Sequence, residues 1–152
     1  MSTMTHAPML TVRREIEASP EELFDAWLDA ESLGSWMRVG ETANGVRDSD
    51  VQLDARTGGA FAITMHTATK SILHTGTYQV IDRPRRLVFT WISVNTGDKS
   101  SLVTVDFLAG SKPGHTEVVL THEQLPTVAA AEGHTKGWTA IVNNLESRYP
   151  HL

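Results

Sequence analysis

The apolar residues of this chain change period partway along it. Between residues 51 and about 123 they recur at every second position. After residue 125 they recur at every third or fourth. Alternation belongs to strands with one buried face, and a period near 3.6 to a helix with one apolar stripe. A chain with both must lay the helix stripe on the apolar face of the sheet, a two-layer α+β solution. The alternating segments are 51–56, 60–66, 71–81 with a break at Gly76, 87–94, 101–108 and 116–123. Turn residues separate them, among them Gly58-Gly59, Pro84 and Asn95-Thr96-Gly97-Asp98. Such short spacing favours an antiparallel meander, because parallel strands need longer crossovers.

The opening of the chain adds a strand over 9–16 and two short helices. Ser19-Pro20-Glu21-Glu22 reads as an N-cap, a first-position proline and a capping box. Leu23, Phe24, Trp27 and Leu28 follow at helical spacing, and Asp29 caps a second helix carrying Leu33 and Trp36. Residues 38–50 read as an irregular loop. At the other end, Leu125-Pro126-Thr127 opens a long helix whose stripe holds His134, Trp138, Ile141, Val142, Leu145 and Tyr149. The expected order is strand, two short helices, about six antiparallel strands and a long helix lying across a curved sheet. A chain of 152 residues is one domain's worth, so 1–152 is expected to form a single domain, with 1–8 a flexible tail.

Composition excludes several functions. Without cysteine there is no disulfide, thiolate nucleophile or cysteine–zinc site. A net charge of −5 gives no general attraction to nucleic acid or anionic lipid. The run Arg83-Pro84-Arg85-Arg86 is short and reads as a solvated turn. No segment approaches the ~20 apolar residues of a membrane span, and no secretory signal is visible, so the expected location is the cytoplasm. Asp48, Asp50 and Asp54 lack the glycine and glutamate of a calcium loop. His122-Glu123 lacks the second histidine of a zinc-protease helix, so no metal and no cofactor is expected. Neither a nucleophile elbow nor a phosphate loop nor a dinucleotide fingerprint is present, and no catalytic residue is assigned.

Several motifs together resemble a known family. Leu23-Phe24-Asp25-Ala26-Trp27 with Leu33 and Trp36 resembles the opening helices of the START/Bet v 1-like (SRPBCC) superfamily. Gly58-Gly59-x-Phe61, Gly76-x-Tyr78 and Pro84-x-Arg86-Leu87-Val88-Phe89-Thr90-Trp91 resemble its central strands. Thr121-His122-Glu123 and Gly137-Trp138 with Leu145 resemble its last strand and helix. Over residues 9–149 the match is to the single-domain, bacterial-type branch named for the activators of the heat-shock-protein-90 ATPase. The resemblance implies a helix-grip fold, a curved antiparallel sheet around the C-terminal helix with a cavity between them. It also implies three roles found across the superfamily: small-molecule binding, cyclase or hydrolase activity on polyketide-like substrates, and protein interaction. The co-chaperones behind the family name carry a further N-terminal domain for which this chain has no room.

Given that cavity, periodicity selects the inward residues. The expected liners are Trp36, Phe61, Met65, His74, Tyr78, Trp91, His122, His134 and Trp138. The aromatics and Met65 would supply apolar contact, and the histidines and tyrosine would orient an apolar or aromatic small molecule. In the enzyme alternative His134 or His122 is a general base with a strongly perturbed pKa. The interaction alternative expects an exposed patch instead. An edge strand could support a homodimer. His66 falls on the face opposite Phe61, Ile63 and Met65 and is expected in solvent, or paired across the hairpin with His74. Gly133 and Gly137 are expected to let the helix pack closely on the sheet, the alternative being that they leave room for a ligand.

Overall fold

The structure, a computed structural model, describes residues 7–39 and 47–149. Most of the expected tail and the middle of the expected 38–50 loop lie outside the described residues. The elements are β1 (Leu10–Ile16), α1 (Pro20–Ala26), α2 (Ala30–Trp36), β2 (Asp50–Leu53), β3 (Ala60–His66), β4 (Ser71–Asp82), β5 (Arg86–Trp91), β6 (Ser101–Ala109), β7 (Thr116–Glu123) and α3 (Val128–Ser147). The seven strands form one antiparallel sheet in the order β1-β7-β6-β5-β4-β3-β2. This is the helix-grip α+β architecture.

Local chemistry sets the helix starts. Ser19 Oγ accepts from Glu22 N, while the Glu22 carboxylate accepts from Ser19 N. Asp29 accepts from Ser32 N, and Thr127 Oγ1 from Ala130 N. Each cap satisfies an amide that the first turn leaves without a partner, typically worth about 1 kcal/mol. The buried stripe of α3 is Ala131, Trp138, Ile141, Val142 and Leu145. It shares one buried core with the inward residues Phe61, Ile63, Met65, Tyr78, Phe89, Trp91, Val103 and Val105, and touches the sheet through Trp138 on Trp91. Trp27 links the layers, edge-on to Trp36 at 4.7 Å and 6.4 Å from Trp138. The indole N–H groups of Trp27, Trp36 and Trp91 are buried without an acceptor. Each costs about 1–3 kcal/mol that aromatic packing must offset.

Three boundaries differ from expectation. The strand expected over 51–56 ends at Leu53, because Asp54 N–H closes the hairpin onto Ala60 O at 3.0 Å. The strand expected over 87–94 ends at Trp91. Ser93 there caps a short 3-10 turn, accepting from Asn95 N, and Thr96 Oγ1 accepts from Ser93 N. Such side-chain bonds compete with the ladder. β4 is continuous through Gly76, and its irregularity falls between Tyr78 and Val80. At Gly76 a side chain would meet Thr90 O at 2.0 Å and the Phe61 ring at 2.6 Å, so the glycine is required by close approach.

His66 is not solvated. It is 7% exposed, with Nε2 2.8 Å from Asp50 Oδ2 and Nδ1 2.8 Å from Ser71 Oγ. Nor does it pair with His74, since the register sets His66 against Ser71 and Ile63 against His74. It lies on the opposite face from the core, as alternation requires. Polar partners on the edge strand β2 and at the start of β4 cover it there, and alternation carries no information about them.

Candidate functional site

Between α3 and the sheet lies a cavity of about 500 Å³. Met65 from β3, Ile72 and His74 from β4, and Trp91 from β5 form the sheet side. Ala130, Gly133, His134, Lys136, Gly137, Trp138, Ala140 and Ile141 form the α3 side, and Val39 and Asn95 complete the wall. The register explains the sheet side. His74 stands directly opposite Ile63, so it shares the face of Phe61, Ile63 and Met65. Its ring then lies 4.8 Å from that of Trp91, which is itself 5.0 Å from Trp138.

Of the nine expected liners, Met65, His74, Trp91, His134 and Trp138 stand on this cavity, and Trp36, Phe61, Tyr78 and His122 do not. Phe61 and Tyr78 face a separate void of about 10 Å³, which they share with Trp27, Phe89 and one side of Trp91. Trp36 is fully buried against Trp27. Alternation identifies a face but not a position along it. These side chains point inward where α1 and α2 already fill the space.

His122 points inward too, but both its nitrogens are occupied. Trp138 Nε1–H donates to Nδ1 at 3.0 Å, so the proton of a neutral ring sits on Nε2. Nε2–H then donates to Ser101 Oγ at 2.7 Å, and Ser101 Oγ–H donates to Trp91 O at 2.6 Å. Burial pushes the His122 pKa down to about 3, which holds the ring neutral. This relay ties the Trp138 indole to the Trp91 backbone and leaves His122 no free nitrogen for a substrate.

The two cavity histidines are also neutral. Burial pushes His74 down to about 4, and its Nδ1 donates to Ile63 O at 3.3 Å. His134 is lowered by burial as well. Its Nδ1 donates to Ala130 O at 2.7 Å, which leaves Nε2 as an acceptor. Its ring stands edge-on to His122 at 4.8 Å. Lys136 is the one charged side chain among the lining residues.

The glycines do not pack the helix against the sheet. A Cβ built on Gly133 meets nothing within 4 Å, and one on Gly137 meets only Val39 Cγ1 at 3.8 Å. They border the cavity, so the expectation of close packing is overturned in favour of open space. Sequence reasoning also missed Ala130 and Ala140. The signal was present: Ala130, Gly133, Gly137 and Ala140 repeat at intervals of three and four, a small-residue edge beside the large-residue stripe.

Among the described residues no three His, Asp or Glu side chains are grouped to hold a metal ion. No helix among them is long and apolar enough to cross a membrane.

Comparison with known proteins places these features. The family model described as "Activator of Hsp90 ATPase homolog 1-like protein" matches residues 17–149. Protein CV1439 from Chromobacterium violaceum is similar in structure, with a TM-score of 0.76 at 19% identity, covering 94% of this chain and 98% of its own. PFC0360w, an HSP90 activator from Plasmodium falciparum, superposes with a TM-score of 0.73 at 28% identity over 93% and 97%. CalU16 from Micromonospora echinospora gives 0.65 at 20% identity over 91% and 74%. None of the curated protein sequences compared with the chain matches it.

Proposed function

This chain belongs to the Activator of Hsp90 ATPase homolog 1-like family, and from that premise we propose that it binds an apolar or aromatic small molecule between α3 and the concave sheet, in the cytoplasm. The carrying observation is the space itself. About 500 Å³ stays open in an otherwise packed interior, bordered by two glycines that nothing fills. That volume lies within the ~300–1,000 Å³ range of small-molecule sites. Trp91, Trp138, Met65 and Ile141 offer apolar contact, and His134 Nε2 offers a neutral acceptor for an O–H or N–H of the guest.

Native mass spectrometry of the purified protein, compared with its denatured spectrum, tests the reading. An adduct lost on denaturation and absent from Gly137→Leu is the expected result. The same adduct on Gly137→Leu would place the guest elsewhere and sink the proposal. The spectrum also reads monomer against homodimer.

One observation favours a second reading. The Plasmodium neighbour is an HSP90 activator, and the similarity covers nearly the whole chain. A chaperone-accessory role predicts that adding the protein raises the ATPase rate of a purified Hsp90-class chaperone, and that Gly137→Leu does so equally well. The enzyme alternative keeps one of its two candidate bases. His122 offers no free nitrogen, whereas His134 has Nε2 free on the cavity, with a pKa that burial lowers.

A further inference from the structure

We propose, resting on the cavity-binder reading, that the guest is an amphipathic organic anion, with its apolar body inside and its one anionic group at the solvent edge against Lys136. The cavity is graded in polarity. Its sheet side is dry: Met65, His74 and Trp91 are each less than a tenth exposed, and the imidazole is neutral. An unpaired charge buried there would lose its hydration with no counterion to replace it. The helix edge is wet. Lys136 is exposed on it, between Gly133 and Ala140, and Asn95 is exposed on the turn that completes the wall.

Lys136 is also unengaged. Six arginines of this acidic chain sit in ion pairs, Arg13, Arg14, Arg56, Arg83, Arg85 and Arg86. Lys136 has no such partner among the described residues, although Glu132 stands one helical turn before it. A lone ammonium beside an apolar opening discriminates by charge, favouring an anionic guest and disfavouring a cationic one of the same shape. The small residues around it leave the ammonium reachable.

Two dyes with nearly the same aromatic body test this. 1-Anilinonaphthalene-8-sulfonate carries an anion, and N-phenyl-1-naphthylamine carries none. Both should fluoresce on binding the wild-type protein, and Gly137→Leu should abolish both signals. The anionic dye should bind the tighter by about 3-fold, the scale of a solvent-exposed ion pair. Lys136→Gln should bring the two affinities level by weakening only the sulfonate. Lys112→Gln, which makes the same charge change on the turn between β6 and β7, should leave their ratio alone. If Lys136→Gln leaves the ratio unchanged, or Lys112→Gln shifts it equally, the anion assignment is wrong while the cavity reading stands. If neither dye binds, or both bind Gly137→Leu as well as wild type, the cavity reading fails and takes the assignment with it.

Discussion

The two glycines of α3 lead to an unusual expectation: replacing them with alanine should make the protein more stable and a poorer binder. Both lie in the interior of a 20-residue helix. Glycine there costs about 1 kcal/mol relative to alanine, largely because the unfolded chain is freer. That gain is lost where the new methyl clashes, but here it meets open space at position 133 and ordinary contact with Val39 at 137. The double variant Gly133→Ala/Gly137→Ala should therefore gain about 2 kcal/mol. For a domain of this size that is a rise of about 4–8 °C in Tm. Thermal melts followed by circular dichroism, with urea titrations alongside, measure it. The same variant should hold N-phenyl-1-naphthylamine more weakly, because both positions line the cavity. A fall in Tm would refute the reasoning, since it would mean that helix and sheet stand too close for a methyl.

Three further outcomes are expected. Ser101→Ala removes the acceptor of His122 Nε2–H and the donor to Trp91 O in a site 1% exposed, and should cost about 1–3 kcal/mol in a urea titration; no loss would mean the relay is idle. Gly76→Ala forces a methyl against Thr90 O and Phe61 and should destabilise by about 1–3 kcal/mol or more, so a variant that melts like wild type would show that β4 has room to move. The pH dependence follows from His74 and His122, whose folded pKa values of about 4 and about 3 lie below the ordinary 6.5. As pH falls through 6.5 the unfolded chain takes up protons before the folded one, so this stability is full above pH 6.5 and declines toward the folded values. Each histidine contributes a slope of about 1.4 kcal/mol per pH unit within its window. Urea midpoints that stay level between pH 7 and pH 5 would contradict this.

What could be read from the sequence depended on how local its physics is. The Ser19 and Asp29 caps involve residues three apart, and both form. The inward parity of Phe61, Ile63, Met65, His74 and Tyr78 follows from the two-residue repeat, and all five are buried. Parity does not say how far along the sheet the helix leaves a gap. For that reason Phe61 and Tyr78 share the face of Met65 and His74 but not their cavity. The Asp50 partner of His66 and the occupied nitrogens of His122 depend on pairs 16 residues apart in sequence or more, Asp50 with His66, His122 with Ser101 and with Trp138. No periodicity reports such pairs. The glycines were visible, but whether a missing side chain signals contact or vacancy depends on what stands opposite.

The strand order has a consequence for synthesis. β1 is an edge strand whose one partner is β7, with Ile16 opposite Thr116 and Leu10 opposite His122. At about 5–20 residues per second a ribosome needs about 5–20 s to travel from one partner to the other. Throughout that interval the inward side chains of β1 have no partner strand, although Phe24 and Trp27 already meet Phe107 and Phe89 once β5 and β6 are made. Any pause in translation before residue 116 prolongs the time that β1 waits unpaired.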